Sequence, residues 1–196
     1  MKLIEPGFFK RNKKLILIAV SLMLISIILS AIYSFFTAGA SYGEITRGLM
    51  QPGGSAKIAN MQFSGMGIFL NNLYANILIL LGGFVFSIFS VISIILNGIT
   101  IGSPFGYDFN FACVAILPHA ILEYFATSLS LVIALKITLI EIDVIKKRNF
   151  SDTLKEHHVD CKDILVLLIV DMVLLFIAAM IEGNLTPVLV KMFFGA

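Results

Sequence analysis

Apolar positions in this chain fall into long blocks separated by short polar interruptions. Residues 15–36, 73–96, about 109–139 and 164–182 are each dominated by Leu, Ile, Val, Phe and Ala. Every one of these blocks reaches the roughly 18 residues that a helix needs to cross a bilayer. The pattern predicts an all-α fold, a polytopic transmembrane helical bundle forming one domain over 1–196. Residues 37–70 break the pattern with Gly39, Gly43, Gly48 and Gln51-Pro52-Gly53-Gly54, and read as an external segment. Within it, 55–70 is mildly amphipathic through Ile58, Met61, Met66 and Phe69, which suits a helix lying on the membrane surface or a packed connecting loop.

Charge then orients the blocks. Lys10, Arg11, Lys13 and Lys14 precede the first block, and Lys146, Lys147, Arg148, Lys155 and Lys162 fill the interval 141–163. Basic segments stay in the cytoplasm, so the N-terminus and the 141–163 loop belong on one side, with an even number of crossings between them. Three blocks lie between them, which is odd. Proline lacks a backbone donor and clashes with the preceding turn, so Pro118 supplies a break that restores parity. The expected spans are therefore 15–36, 73–96, 101–117, 119–140 and 164–182, with Asn97-Gly98 as the turn after the second. Four spans plus a re-entrant half-helix is the alternative. The first block is longer than a signal-peptide core, so it is expected to be retained as a span although Ala38-Gly39-Ala40 has the look of a cleavage site.

Composition narrows the class further. The chain is 59% hydrophobic and only 13% charged, with a net charge of +2, so it lacks both the polar cover of a soluble domain and the basic face of a nucleic-acid binder. Its first partner is the lipid bilayer. Cys113 and Cys161 have no metal or disulfide spacing and read as structural. His157-His158 with Cys161 lies in a single loop without further ligands and makes no zinc site.

The stretch Leu117-Pro118-His119-Ala120-Ile121-Leu122-Glu123 holds an ionisable pair inside an apolar block, where a charge without a partner costs several kcal/mol or more. His119 and Glu123 are four apart and share a helix face with Ala126, Thr127, Ser130 and Ala134, which marks that face as packed against helices. The five-span topology brings this pair to the membrane side where Asn71 and Asn72 enter and where Glu182, Asn184 and Thr186-Pro187 close the last span. Asn72, Asn76 and Gly83 follow one helix face, and Gly82-Gly83 permits close helix approach. Asp171 shares the 171–175–178–182 face with Glu182, about 16 Å away along the axis. It reads as a separate structural group shallow enough to reach the cytoplasmic interface, or else as part of a proton pathway. His119 with Glu123 could ligate a metal, but no second histidine-rich helix supplies the usual three or four ligands, so no metal and no cofactor is expected. A buried hydrogen-bond network is the reading kept. No catalytic triad, phosphate loop or dinucleotide fingerprint appears.

These residues carry a family resemblance. The Asn71-Asn72 entry, Asn97-Gly98 with Gly102, Leu117-Pro118-His119 followed by Glu123, and Glu182 followed by Thr186-Pro187 together resemble the stage II sporulation protein M family. Pro118 and Pro187 are its helix breaks, and Ala120 stands where the family usually has glycine. The resemblance implies a multi-span protein of the cytoplasmic membrane. It also implies a non-enzymatic scaffold that recruits other membrane or extracytoplasmic proteins, with self-association as a further option. A permease or ion-transport component using Glu123, Glu182 and Asp171 is the alternative.

Overall fold

The computed structural model describes residues 4–37 and 64–195, and these are almost entirely helical. The helices are α1 (Phe8–Thr37), α2 (Gly65–Leu81), α3 (Ile88–Tyr107), α4 (Phe109–Ala115), α5 (Leu117–Lys147), α6 (Phe150–Glu156), α7 (His158–Met180) and α8 (Thr186–Phe194). A 3-10 turn, Gly82–Val85, follows α2, and a π-helical turn, Ile181–Leu185, joins α7 to α8. Among the described residues four stretches are long and apolar enough to cross a membrane: Phe8–Thr37, Gly65–Val85, Ile88–Tyr107 and His158–Phe194. The fifth long helix, α5, lies at the centre and holds the largest share of buried side chains. The chain is a helical membrane protein. The expected external segment 37–70 falls mostly outside the described residues, and its end, from Gly65, is the first turns of α2.

The second and third expected spans need correction. Residues 73–96 are not one helix. The chain reverses at 82–87, and α3 runs on through Asn97-Gly98 to Tyr107. The helix before Pro118 is thus 88–107 instead of 101–117, with only the short α4 between them. The reversal is held by side chains. Phe86 and Ser87 both adopt positive φ, at 53° and 56°, a costly conformation for residues other than glycine. The Thr138 hydroxyl donates to the Gly83 carbonyl at 2.8 Å and pairs with the Ser87 hydroxyl at 2.7 Å, while Ser90 bonds the Ile79 carbonyl. Gly83 itself packs on the α5 backbone, where a Cβ would lie 2.7 Å from the Ala134 carbonyl oxygen. Pro118 sits in the first turn of α5, where its missing N–H costs nothing.

The row Gly98, Gly102, Gly106 explains why 97–98 is not a turn. Added Cβ atoms would meet the Ser26 side chain, the Ile27 carbonyl oxygen and the Ala31 carbonyl oxygen respectively. The numbers rise together, so α1 and α3 run parallel at backbone contact, the small-residue mode of helix packing in membranes. Ser30 adds hydrogen bonds to the Ile99 carbonyl, 2.9 Å, and the Ser103 hydroxyl, 2.8 Å. Outward faces are apolar: Leu24, Ile28 and Ile32 on α1, Phe89, Ile92 and Leu96 on α3, and Ile169, Val173 and Phe176 on α7 are all exposed.

One end of the bundle is tied by charge. Asp163, 1% exposed, accepts from Arg11 Nε at 3.0 Å and Nη2 at 2.8 Å and from Asn12 Nδ2 at 3.0 Å. Lys136 Nζ lies 3.6 Å from Asp163 and 2.6 Å from Asp160. This joins the N-terminal ends of α1 and α7 to the C-terminal half of α5. Asn149 caps α6, accepting from the Asp152 N–H at 3.2 Å.

His157 completes this end, with Nδ1 2.8 Å from Asp160 and Nε2 3.0 Å from Asp143. The Asp160 hydrogen bond, and then that to Asp143, raise its pKa above the ordinary 6.5. A raised pKa stabilises the fold fully below the ordinary value and loses that contribution as pH climbs through the raised one. Thermal stability should therefore fall above about pH 6.5 by no more than about 1 kcal/mol from this group. His157→Gln should flatten that decline in a melting series across pH.

Candidate functional site

At the opposite end, α2, α5 and the α7–α8 junction surround an open cavity of about 580 Å³. Its lining is Gly67, Ile68, Asn71, Asn72, His119, Glu123 and Glu182. Local sequence explains how the chain presents these groups. Pro118 starts α5 at the cavity edge, so His119 and Glu123 fall on the first inward-facing turns. Pro187 has no N–H for the carbonyl four residues back, and the helix widens there into the π-turn that carries Glu182. Asn184 bonds the Met180 carbonyl at 2.9 Å across that turn.

His119 is 8% exposed. Its Nδ1 lies 3.4 Å from the Thr186 hydroxyl, and its Nε2 lies 3.9 Å from Glu182 Oε2, beyond hydrogen-bond range. One ligand-type atom each from His119, Glu123 and Glu182 falls within 4.8 Å of the others. Asn71, Asn72, His119, Glu123 and Glu182, all singled out in the sequence, thus meet at one cavity, and Thr186 supports it from behind His119. Asn97 does not join them. It lies in the middle of α3 with its amide donating to the Ser93 carbonyl at 2.9 Å.

Asp171 belongs to a different layer. It is 1% exposed and accepts from Asn76 Nδ2 at 2.9 Å and Ser130 Oγ at 3.0 Å. Thr127 in turn donates to Asn76 Oδ1 at 3.2 Å. Between this layer and Glu182 the shared face of α7 is filled by Leu175, Ala178 and Ala179, all buried. On α7 an apolar step thus separates Glu182 from Asp171, while Asn72 and Asn76 on α2 and Glu123 and Thr127 on α5 stand one turn apart.

Sequence reasoning missed the Asp163 cluster described above. Its members are spread over three helices, and read singly Arg11 counts only as charge flanking the first block. Lys136, an isolated lysine within an apolar run, was the available signal.

The family model described as "Stage II sporulation protein M" matches residues 16–187 of the chain. An uncharacterized protein of Methanocaldococcus jannaschii is 33% identical over 140 residues, covering 66% of this chain and 75% of the relative. No solved structure matches.

Proposed function

The chain belongs to the stage II sporulation protein M family, and from that premise we propose that it is a non-enzymatic scaffold of the cytoplasmic membrane. Its outward cavity and the 38–63 segment dock a membrane or extracytoplasmic protein. The N-terminus lies in the cytoplasm. This orientation is supported by the gathering of Lys10, Arg11, Lys13, Lys14, Lys146, Lys147 and Arg148 at the Asp163 end.

The observation that supports the reading is the apolar step on α7 beneath the cavity. A transport component would need its carboxylates joined by polar or aqueous space, yet Leu175, Ala178 and Ala179 fill the face between Glu182 and Asp171. Asp171 is fully engaged by Asn76 and Ser130, as a structural tie would be. What is left unengaged is the polar, open cavity on the other side.

A photo-crosslinking side chain at Asn72 in native membranes should yield one discrete protein adduct. The same probe at Ile92, on the lipid face of α3, should yield none. If purified protein in liposomes instead carries a proton or cation flux that Glu123→Gln abolishes, the transport reading replaces this one.

A further inference from the structure

We infer that His119, Glu123 and Glu182 hold a divalent transition cation of the zinc class, with one coordination position open to the cavity. Three independent features lead there. The first is geometry. Zinc takes nitrogen and oxygen ligands at about 2.0–2.2 Å, so tetrahedral ligand atoms stand about 3.4 Å apart. The three donor atoms already lie within 4.8 Å of one another, and His119 Nε2 is 3.9 Å from Glu182 Oε2. Side-chain rotations that close these gaps by roughly 0.5 to 1.4 Å complete the set.

The second feature is charge. Two carboxylates and a histidine share a cavity that, among the described residues, no Lys or Arg lines. An apolar bundle strongly disfavours such a pair of acids without a counter-charge. A divalent cation neutralises both at once, and the other polar lining, Asn71 and Asn72, brings none.

The third is the state of the histidine. The residue is 8% exposed, its Nε2 lies 3.9 Å from Glu182 Oε2, beyond hydrogen-bond range, and its Nδ1 faces Thr186 Oγ1 at 3.4 Å. That is the arrangement of a metal-bound imidazole, whose other nitrogen donates to a supporting oxygen and thereby fixes the tautomer. The π-turn bearing Glu182 fits the same reading, since such one-turn bulges recur at functional sites. One nitrogen and two carboxylate oxygens favour zinc, manganese or iron over magnesium or calcium, which prefer all-oxygen shells. Three protein ligands leave the fourth position for water or for a carboxylate from a docked chain.

The test uses the full-length protein purified in detergent, stripped with chelator, then titrated with Zn2+ and separately with Co2+. One ion per chain should bind, and Co2+ should develop visible d–d bands of low-symmetry coordination. His119→Ala and Glu182→Gln should each weaken Zn2+ binding by about 100-fold or more, and Thr186→Val by about 10-fold. His158→Ala and Cys161→Ser, at the other end of the bundle, should bind as the parent does. Helical circular dichroism and a single elution peak show whether each variant is folded. Should His119→Ala fail that check, the near-isosteric Glu123→Gln and Glu182→Gln decide. Binding that survives these substitutions in folded protein, or a site that takes Mg2+ or Ca2+ and refuses Zn2+ and Co2+, overturns the assignment. The cavity is the one assigned to docking, but the titration needs no partner, so the two readings fail separately.

Discussion

Replacing Asp163 with alanine lowers the stability of the folded chain by about 3–5 kcal/mol, the cost of removing one partner from a buried charge network. The carboxylate accepts from both Arg11 nitrogens and from Asn12 Nδ2, and it faces Lys136 Nζ at 3.6 Å. Its loss leaves Asn12, which is fully buried, without that acceptor, and Lys136, 4% exposed, with Asp160 alone. The effect is large because three helices lose their common tie in one substitution. Asp163→Asn keeps the shape and one acceptor, and should cost less. Unfolding in mixed micelles, followed by circular dichroism, measures both. A loss under about 1 kcal/mol for Asp163→Ala would show that the cluster behaves as an exposed ion pair.

Gly102→Val should be the other severe change, destabilising by about 3 kcal/mol, the upper end of ordinary overpacking, or preventing assembly of the bundle. A Cβ there would stand 2.2 Å from the Ile27 carbonyl oxygen and 2.8 Å from its Cα. Both are backbone atoms, so no side chain can turn aside and α1 must separate from α3. Separation would also break the Ser30 bonds to Ile99 and Ser103. Gly67→Ala is the matched control. Its Cβ would meet nothing nearer than Ser64 Cβ at 4.0 Å, and the helix should be unaffected or gain up to about 1 kcal/mol. Equal losses at the two positions would remove the α1–α3 contact as the cause.

Much of this architecture was legible because the bilayer imposes length and charge rules that single residues can satisfy. The parity of the basic segments brought Asn72, His119, Glu123 and Glu182 to one end without any contact information, and the structure places all four at the cavity. Pro118 and Pro187 marked real discontinuities for the backbone reason given. The hairpin at 82–87 was not legible. A turn within the bundle needs no solvent-loving residues when Thr138 and Ser90 satisfy its backbone, so Gly82-Gly83-Phe84-Val85-Phe86 reads as continuous apolar helix. Asn97-Gly98 had the composition of a turn, yet Gly98 serves close approach to α1. The Asp163 cluster was hidden for a further reason: a charge reports its side of the membrane in sequence but not its partner.

The central claim is that the His119–Glu123–Glu182 cavity opens outward and is separated along α7 from the Asp171 layer. Substituted-cysteine labelling tests it directly, in a chain whose Cys113 and Cys161 have been replaced by serine. With a membrane-impermeant maleimide on intact cells, Asn71→Cys should label, and Leu175→Cys should stay unlabelled until the protein is unfolded. Labelling of Leu175→Cys in the folded protein, or of Asn71→Cys from the cytoplasmic side alone, would contradict the account.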